Sequence, residues 1–177
     1  MFPGKGFAMP FEHDRIAAPA SRAASKAAVR PKREPGVSAS TPQAAGYSAT
    51  PLARKLGIHA ASRVYVVGAP QEFPALLAPL PDGVVFQRRA GPTTDVAHVF
   101  AVDRADLARR LAALRKQLGP QAALWVSWPK KASRVPTSIT EDVVRELALP
   151  LGWVDVKVRA IDAVWSGLKL VVRKSLR

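Results

Sequence analysis

The chain is 177 residues long, contains no cysteine, and carries 27 Lys and Arg against 13 Asp and Glu, a formal charge of +14. Disulfides, thiolate catalysis and thiolate metal sites are thereby excluded, and the three histidines, His13, His59 and His98, follow no metal-ligand spacing. No apolar run approaches the roughly 20 residues of a membrane span, and the N-terminus has no apolar signal core, so a cytoplasmic location is expected.

The first 46 residues hold seven of the basic and three of the acidic residues, a net of +4; the remainder carries +10. Residues 17–45 are dominated by Ala, Pro, Ser, Lys and Arg. Such a stretch buries too little apolar surface to offset its ordering entropy, so residues 1–45 are expected to be a disordered basic tail before a domain over 46–177. Thr50-Pro51 is placed to cap a short helix over 52–56, which Gly57 stops. Residues 63–67 read as a strand broken by Gly68. A short helix follows around 73–77, with Pro74 in its first turn, then a brief strand over 84–86 and an apolar run over 96–102.

Asp103 precedes the clearest helix. Leu107, Leu111, Leu114 and Leu118 form one stripe, with Arg109 and Lys116 on the opposite face, and Gly119-Pro120 ends it. Residues 122–128 are almost continuously apolar, as in a strand buried on both faces. Ser138 and Glu141 match a capping box for a helix through Leu147, closed by Pro150. The last two strands, 153–161 and 168–172, are separated by too few residues for a helical crossover and should pair as an antiparallel hairpin. Alternating strands and helices with a terminal hairpin describe a small doubly wound α/β domain, mostly parallel.

Several segments are specific in kind: Gly46-Tyr47-Ser48 with Thr50-Pro51-Leu52, Trp125-Val126-Ser127-Trp128-Pro129-Lys130-Lys131, and Asp162 with Trp165-Ser166-Gly167-Leu168-Lys169. Through them the region after Gly46 resembles an uncharacterised bacterial family known only as a domain of unknown function. The resemblance implies domain limits and no established activity. The element order is also similar to that of the Rossmann-like methyltransferases, in which a Gly-rich turn follows the first strand and an acid ends the second. Here that turn is Val67-Gly68-Ala69-Pro70-Gln71, with one glycine and a proline lacking a backbone donor. The second strand runs into Gln87-Arg88-Arg89. Both departures disfavour S-adenosylmethionine, while Arg88-Arg89 suit a phosphate.

Open α/β sheets bind ligands beyond the carboxyl ends of their strands. Those ends supply the candidate ligand-binding residues Gly68, Trp128, Lys130, Lys131, Arg134, Asp162, Trp165 and Lys169. Lysine, arginine and tryptophan together suit phosphate neutralisation with base stacking. The plainer reading places Trp128 in the core, Lys130 and Lys131 in solvent, and Asp162 in local turn bonding. His98, among apolar neighbours, reads as a core histidine. No Ser-His-Asp order, phosphate loop or metal cluster is present, so no catalytic residue is assigned.

Three functions stay open. The first is a non-catalytic or degenerate Rossmann-like binding domain for an anionic partner, a nucleic acid or nucleotide. The second is a small methyltransferase-like enzyme using S-adenosylmethionine. The third is a protein-interaction module.

Overall fold

The computed structural model describes residues 50–177; the expected tail lies outside the described residues. Six strands form one sheet in the order β2-β1-β3-β4-β6-β5. They are β1 (Arg63–Val67), β2 (Val85–Gln87), β3 (Val96–Phe100), β4 (Ala123–Pro129), β5 (Trp153–Ala160) and β6 (Trp165–Val172). The first four run parallel, and β6 enters antiparallel between β4 and β5. A mostly parallel sheet closed by an antiparallel hairpin is what the sequence pattern implied.

Four helices cover both faces: α1 (Leu52–Leu56), α2 (Phe73–Leu76), α3 (Arg104–Gln117) and α4 (Glu141–Ala148). On one face the Leu107, Leu111 and Leu114 stripe of α3, with Val144 and Ala148 of α4, packs on Val99, Leu124, Val126, Leu168 and Leu170. On the other, Leu56, Phe73 and Leu77 cover Val64, Val96, Phe100 and Trp125. Strand β4 belongs to both clusters, since successive side chains alternate faces and every residue from Leu124 to Pro129 is buried. Helix α1 is tied to this strand by the Trp125 Nε1–H, which donates to the Leu56 carbonyl at 2.8 Å.

Three local readings are corrected. Helix α1 is preceded at its cap position by Pro51, which offers no side-chain cap. Helix α4 is capped by Thr140, whose hydroxyl accepts from the Val143 N–H. Ser138, expected in that role, instead accepts from the Arg104 N–H at 2.8 Å, and Glu141 pairs with Arg145. Strand β6 begins at Trp165, three residues early, because Asp162 Oδ1 accepts from the N–H groups of Val164 and Trp165 and completes the turn within four residues.

The Trp125 bond generates a stability prediction. Trp125→Phe removes the donor and strands a buried carbonyl, whereas the Trp128 side chain makes no hydrogen bond among the described residues. By urea denaturation, Trp125→Phe should cost about 1–3 kcal/mol more than Trp128→Phe. Equal losses would show that α1 does not depend on this bond.

Candidate functional site

The strand order reverses between β1 and β3, since the chain leaves β1 for β2 on one side and returns on the other. In an open α/β sheet the crevice beyond the carboxyl ends at such a point is where ligands lie. Its floor here is Gly68 after β1 and Ala101 and Val102 after β3. Gly68 has φ +72°, and a Cβ at this position would run into the Phe100 carbonyl oxygen. Glycine is therefore demanded by the close approach of the neighbouring strand, whether or not a ligand touches it. Pro70 follows, and α2 has only four residues.

Around this floor the loops are bonded to one another. The Val102 carbonyl accepts from Thr137 Oγ1 at 2.9 Å and from the Ser138 N–H at 3.0 Å. At the end of β4, Lys130 Nζ donates to the Asp162 carbonyl at 2.6 Å, and the Lys130 N–H donates to the Val164 carbonyl at 2.8 Å. The edge is thus a set of short loops joined by both side-chain-to-backbone and backbone-to-backbone bonds.

The eight candidate residues divide. Gly68, Lys131 and Arg134 are exposed at the carboxyl edge, and no described carboxylate forms an ion pair with Lys131 or Arg134. Lys130 and Asp162 lie there too, but both are spent on the turn they hold together. Trp165 packs edge-on against Phe100, ring centroids 5.1 Å apart. Trp128 is corrected: it is 7% exposed within the cluster under α3 and α4, so it offers no stacking surface. Lys169 is also corrected. It stands in mid-strand opposite Trp125, on the flat face of the sheet and away from the edge. Sequence alternation alone does not show this, because it starts the strand at Leu168 and so sets Lys169 next to the turn, whereas β6 begins at Trp165.

At the end of β2 the Gln87 side chain accepts from the Thr94 hydroxyl at 2.6 Å, so it is committed to the following turn. Arg88 and Arg89 beyond it are exposed. The residues present thus do not reproduce the usual grip on S-adenosylmethionine: one sterically required glycine, a proline for a donor, and arginines for an acid. Two hollows among the described residues lie elsewhere. One of about 190 Å³ is at the amino ends of β3 and β4, lined by Asp95 and Ala122, and one of about 160 Å³ is between Tyr65 of β1 and α3.

One polar pair escaped the sequence reading. His98 Nε2 and Ser127 Oγ are 2.7 Å apart on adjacent strands β3 and β4, both buried. The imidazole stacks on Phe100 at 4.3 Å and meets Phe73 edge-on at 5.0 Å, and its Nδ1 has no partner. Burial pushes its pKa down to about 3. With no route to solvent, the pair is a structural core contact rather than a nucleophile and base. No group of three or more His, Cys, Asp or Glu among the described residues could hold a metal ion, and no described helix is long and apolar enough to cross a membrane.

No protein-family model matches the chain, and no curated protein matches it either. Solved structures do share its fold. A SAM dependent methyltransferase from Aquifex aeolicus aligns with a TM-score of 0.52 at 16% identity, covering 68% of this chain and 87% of that one. A putative type 11 methyltransferase from Sulfolobus solfataricus gives 0.51 at 10% identity, covering 70% and 90%. An exported protein from Bordetella parapertussis, described as possible, gives 0.51 at 12% identity, covering 69% and 66%. At these identities the likeness shows a methyltransferase-type fold.

The buried imidazole sets a pH dependence. Unfolded, His98 takes a proton near its ordinary value of 6.5; folded, it stays neutral down to about 3. Between those values the unfolded chain binds the extra proton. The stability is therefore complete above pH 6.5 and falls by about 1.4 kcal/mol per unit below it. Urea denaturation at pH 7.5 and 5.0 should show a loss of about 2 kcal/mol that His98→Leu combined with Ser127→Ala does not show. An equal loss in that double variant would assign the dependence to other groups.

Proposed function

We propose that this chain is a methyltransferase-type ligand-binding domain that takes an adenosine-bearing ligand at the carboxyl edge of β1, β2 and β3 through an altered grip. The observation that carries the reading is the reversal of strand order between β1 and β3, which puts the Gly68 turn beside the end of β3 with Arg88 and Arg89 close by in sequence order after β2. The fold likeness favours S-adenosylmethionine as the ligand to try first. The edge residues favour an anionic relative. S-adenosylmethionine carries a sulfonium cation that two arginines repel, whereas the phosphates of a nucleotide are attracted by them. No proton-transfer residue is assigned, since the described His98–Ser127 pair is sealed in the core.

A second reading, an interface for nucleic acid, is favoured by the exposed Lys131 and Arg134 and by twenty basic against ten acidic residues after residue 46. Such binding weakens steeply with salt through counterion release.

Calorimetry with S-adenosylmethionine and with ADP, in parallel, tests the proposal. Heat of binding with ADP that Arg88→Ala and Arg89→Ala together reduce by on the order of tenfold is expected. Binding of S-adenosylmethionine unaffected by those changes would support a methyltransferase with a shortened site. Silence with both ligands at millimolar concentration would overturn the adenosine reading.

A further inference from the structure

The terminal hairpin carries a charge arrangement that its own folding does not explain. Lys157 of β5 stands directly opposite Lys169 of β6, and Arg159 stands opposite Gly167. Lys169 in turn is opposite Trp125, and Gly167 opposite Ser127, so all three cations share the sheet face that α1 covers further in. Like charges directly opposite in an antiparallel pair destabilise it. Burial, and after it the charge of Lys157, holds the Lys169 ammonium below the usual lysine range.

A β-bulge creates this arrangement. The ladder slips between Asp155 and Lys157. Without the slip, two residues apart on a strand would share a face, and Asp155 would lie beside Lys157. Instead Asp155 pairs with Leu170 on the opposite face and accepts from Arg145 Nε at 3.1 Å, while Lys157 is turned toward Lys169. Bulges that re-aim a side chain in this way gather at functional positions.

Nothing among the described residues neutralises the result. The described ion pairs involve Arg104, Arg109, Arg110 and Arg145, and none involves Lys157, Arg159 or Lys169. The Nε of Arg159 is buried without an acceptor, a donor whose desolvation is otherwise uncompensated. Strand positions fix the three stems, and cross-strand Cβ atoms lie about 5 Å apart, close enough for the heads to converge on one tetrahedral group.

We propose that Lys157, Arg159 and Lys169 form a phosphate-binding site on the flat face of the β5–β6 hairpin, taking a phosphodiester or polyphosphate group. It is independent of the ligand proposed for the carboxyl edge. The competing assignment is that Lys169, whose Nζ lies near Gly57 at the C-terminal end of α1, serves only that helix end.

The test uses the full-length chain in low salt and follows its melting temperature with tripolyphosphate and, separately, with a single-stranded DNA oligonucleotide. The wild type should be stabilised by tripolyphosphate, and Lys157→Ala, an exposed position, should abolish most of that shift while raising the melting temperature without anion. Lys169→Met should weaken tripolyphosphate binding on the order of tenfold. A response to the oligonucleotide that the same variants remove identifies the phosphodiester source; a response to tripolyphosphate alone identifies a free polyphosphate. The proposal is overturned if neither anion shifts the wild type, if Lys157→Ala and Arg159→Gln keep the full response, or if Lys131→Ala reduces it equally, since that would mark general electrostatics. Adenosine-ligand binding at the carboxyl edge should be unchanged in Lys157→Ala, which keeps the two sites distinguishable.

Discussion

The constraint on which the rest of this molecule depends is the burial of β4 on both faces. From Leu124 to Pro129 the strand exposes no side chain, and it pairs parallel to β3 on one side and antiparallel to β6 on the other. Its even positions, Leu124, Val126 and Trp128, anchor α3 and α4; Trp125 and Ser127 face α1 and His98. Two cores of different character therefore meet along one strand. The first is aliphatic around α3 and α4. The second is aromatic, built from Phe73, His98, Phe100 and Trp125. Because β4 joins both, the loop that leaves it is positioned from two sides.

That positioning is reinforced by hydrogen bonds along the carboxyl edge. Lys130 reaches back to the Asp162 carbonyl, and Thr137 and Ser138 close on the Val102 carbonyl. These bonds join the ends of β3, β4 and the hairpin turn into one frame. The same edge carries neither a Gly-rich turn after β1 nor an acid at the end of β2. Gly68 is explained by the nearness of Phe100, Gln87 by its bond to Thr94, and Arg88 and Arg89 add positive charge where a ribose would ask for an acid.

Much of the architecture was legible in the sequence because it is written in periodicity. The Leu107 to Leu118 stripe, the apolar run of β4 and the short connection before β6 each have one physical solution. The details that failed depend on tertiary contact. Ser138 has the residue type of a helix cap but accepts from the Arg104 N–H, because Thr140, two residues later, directly precedes the helix and its hydroxyl takes the Val143 N–H. Trp128 looked like a strand-end platform, but β4 extends one residue further and its ring turns under α3 and α4. Lys157 and Arg159 gave no signal at all. Only the bulge at Val156, invisible in composition or alternation, brings them to the face of Lys169.

We propose that an adenosine-bearing ligand sits at the carboxyl edge beside Gly68, although the usual cofactor grip is not reproduced there. Amide chemical-shift mapping of the ¹⁵N-labelled protein during titration with ADP tests it most directly. Saturable shifts are expected at Gly68, Ala69 and Gln71, at Arg88 and Arg89, and at Val102 to Arg104. Shifts confined to β5 and β6, with none around Gly68, would contradict it.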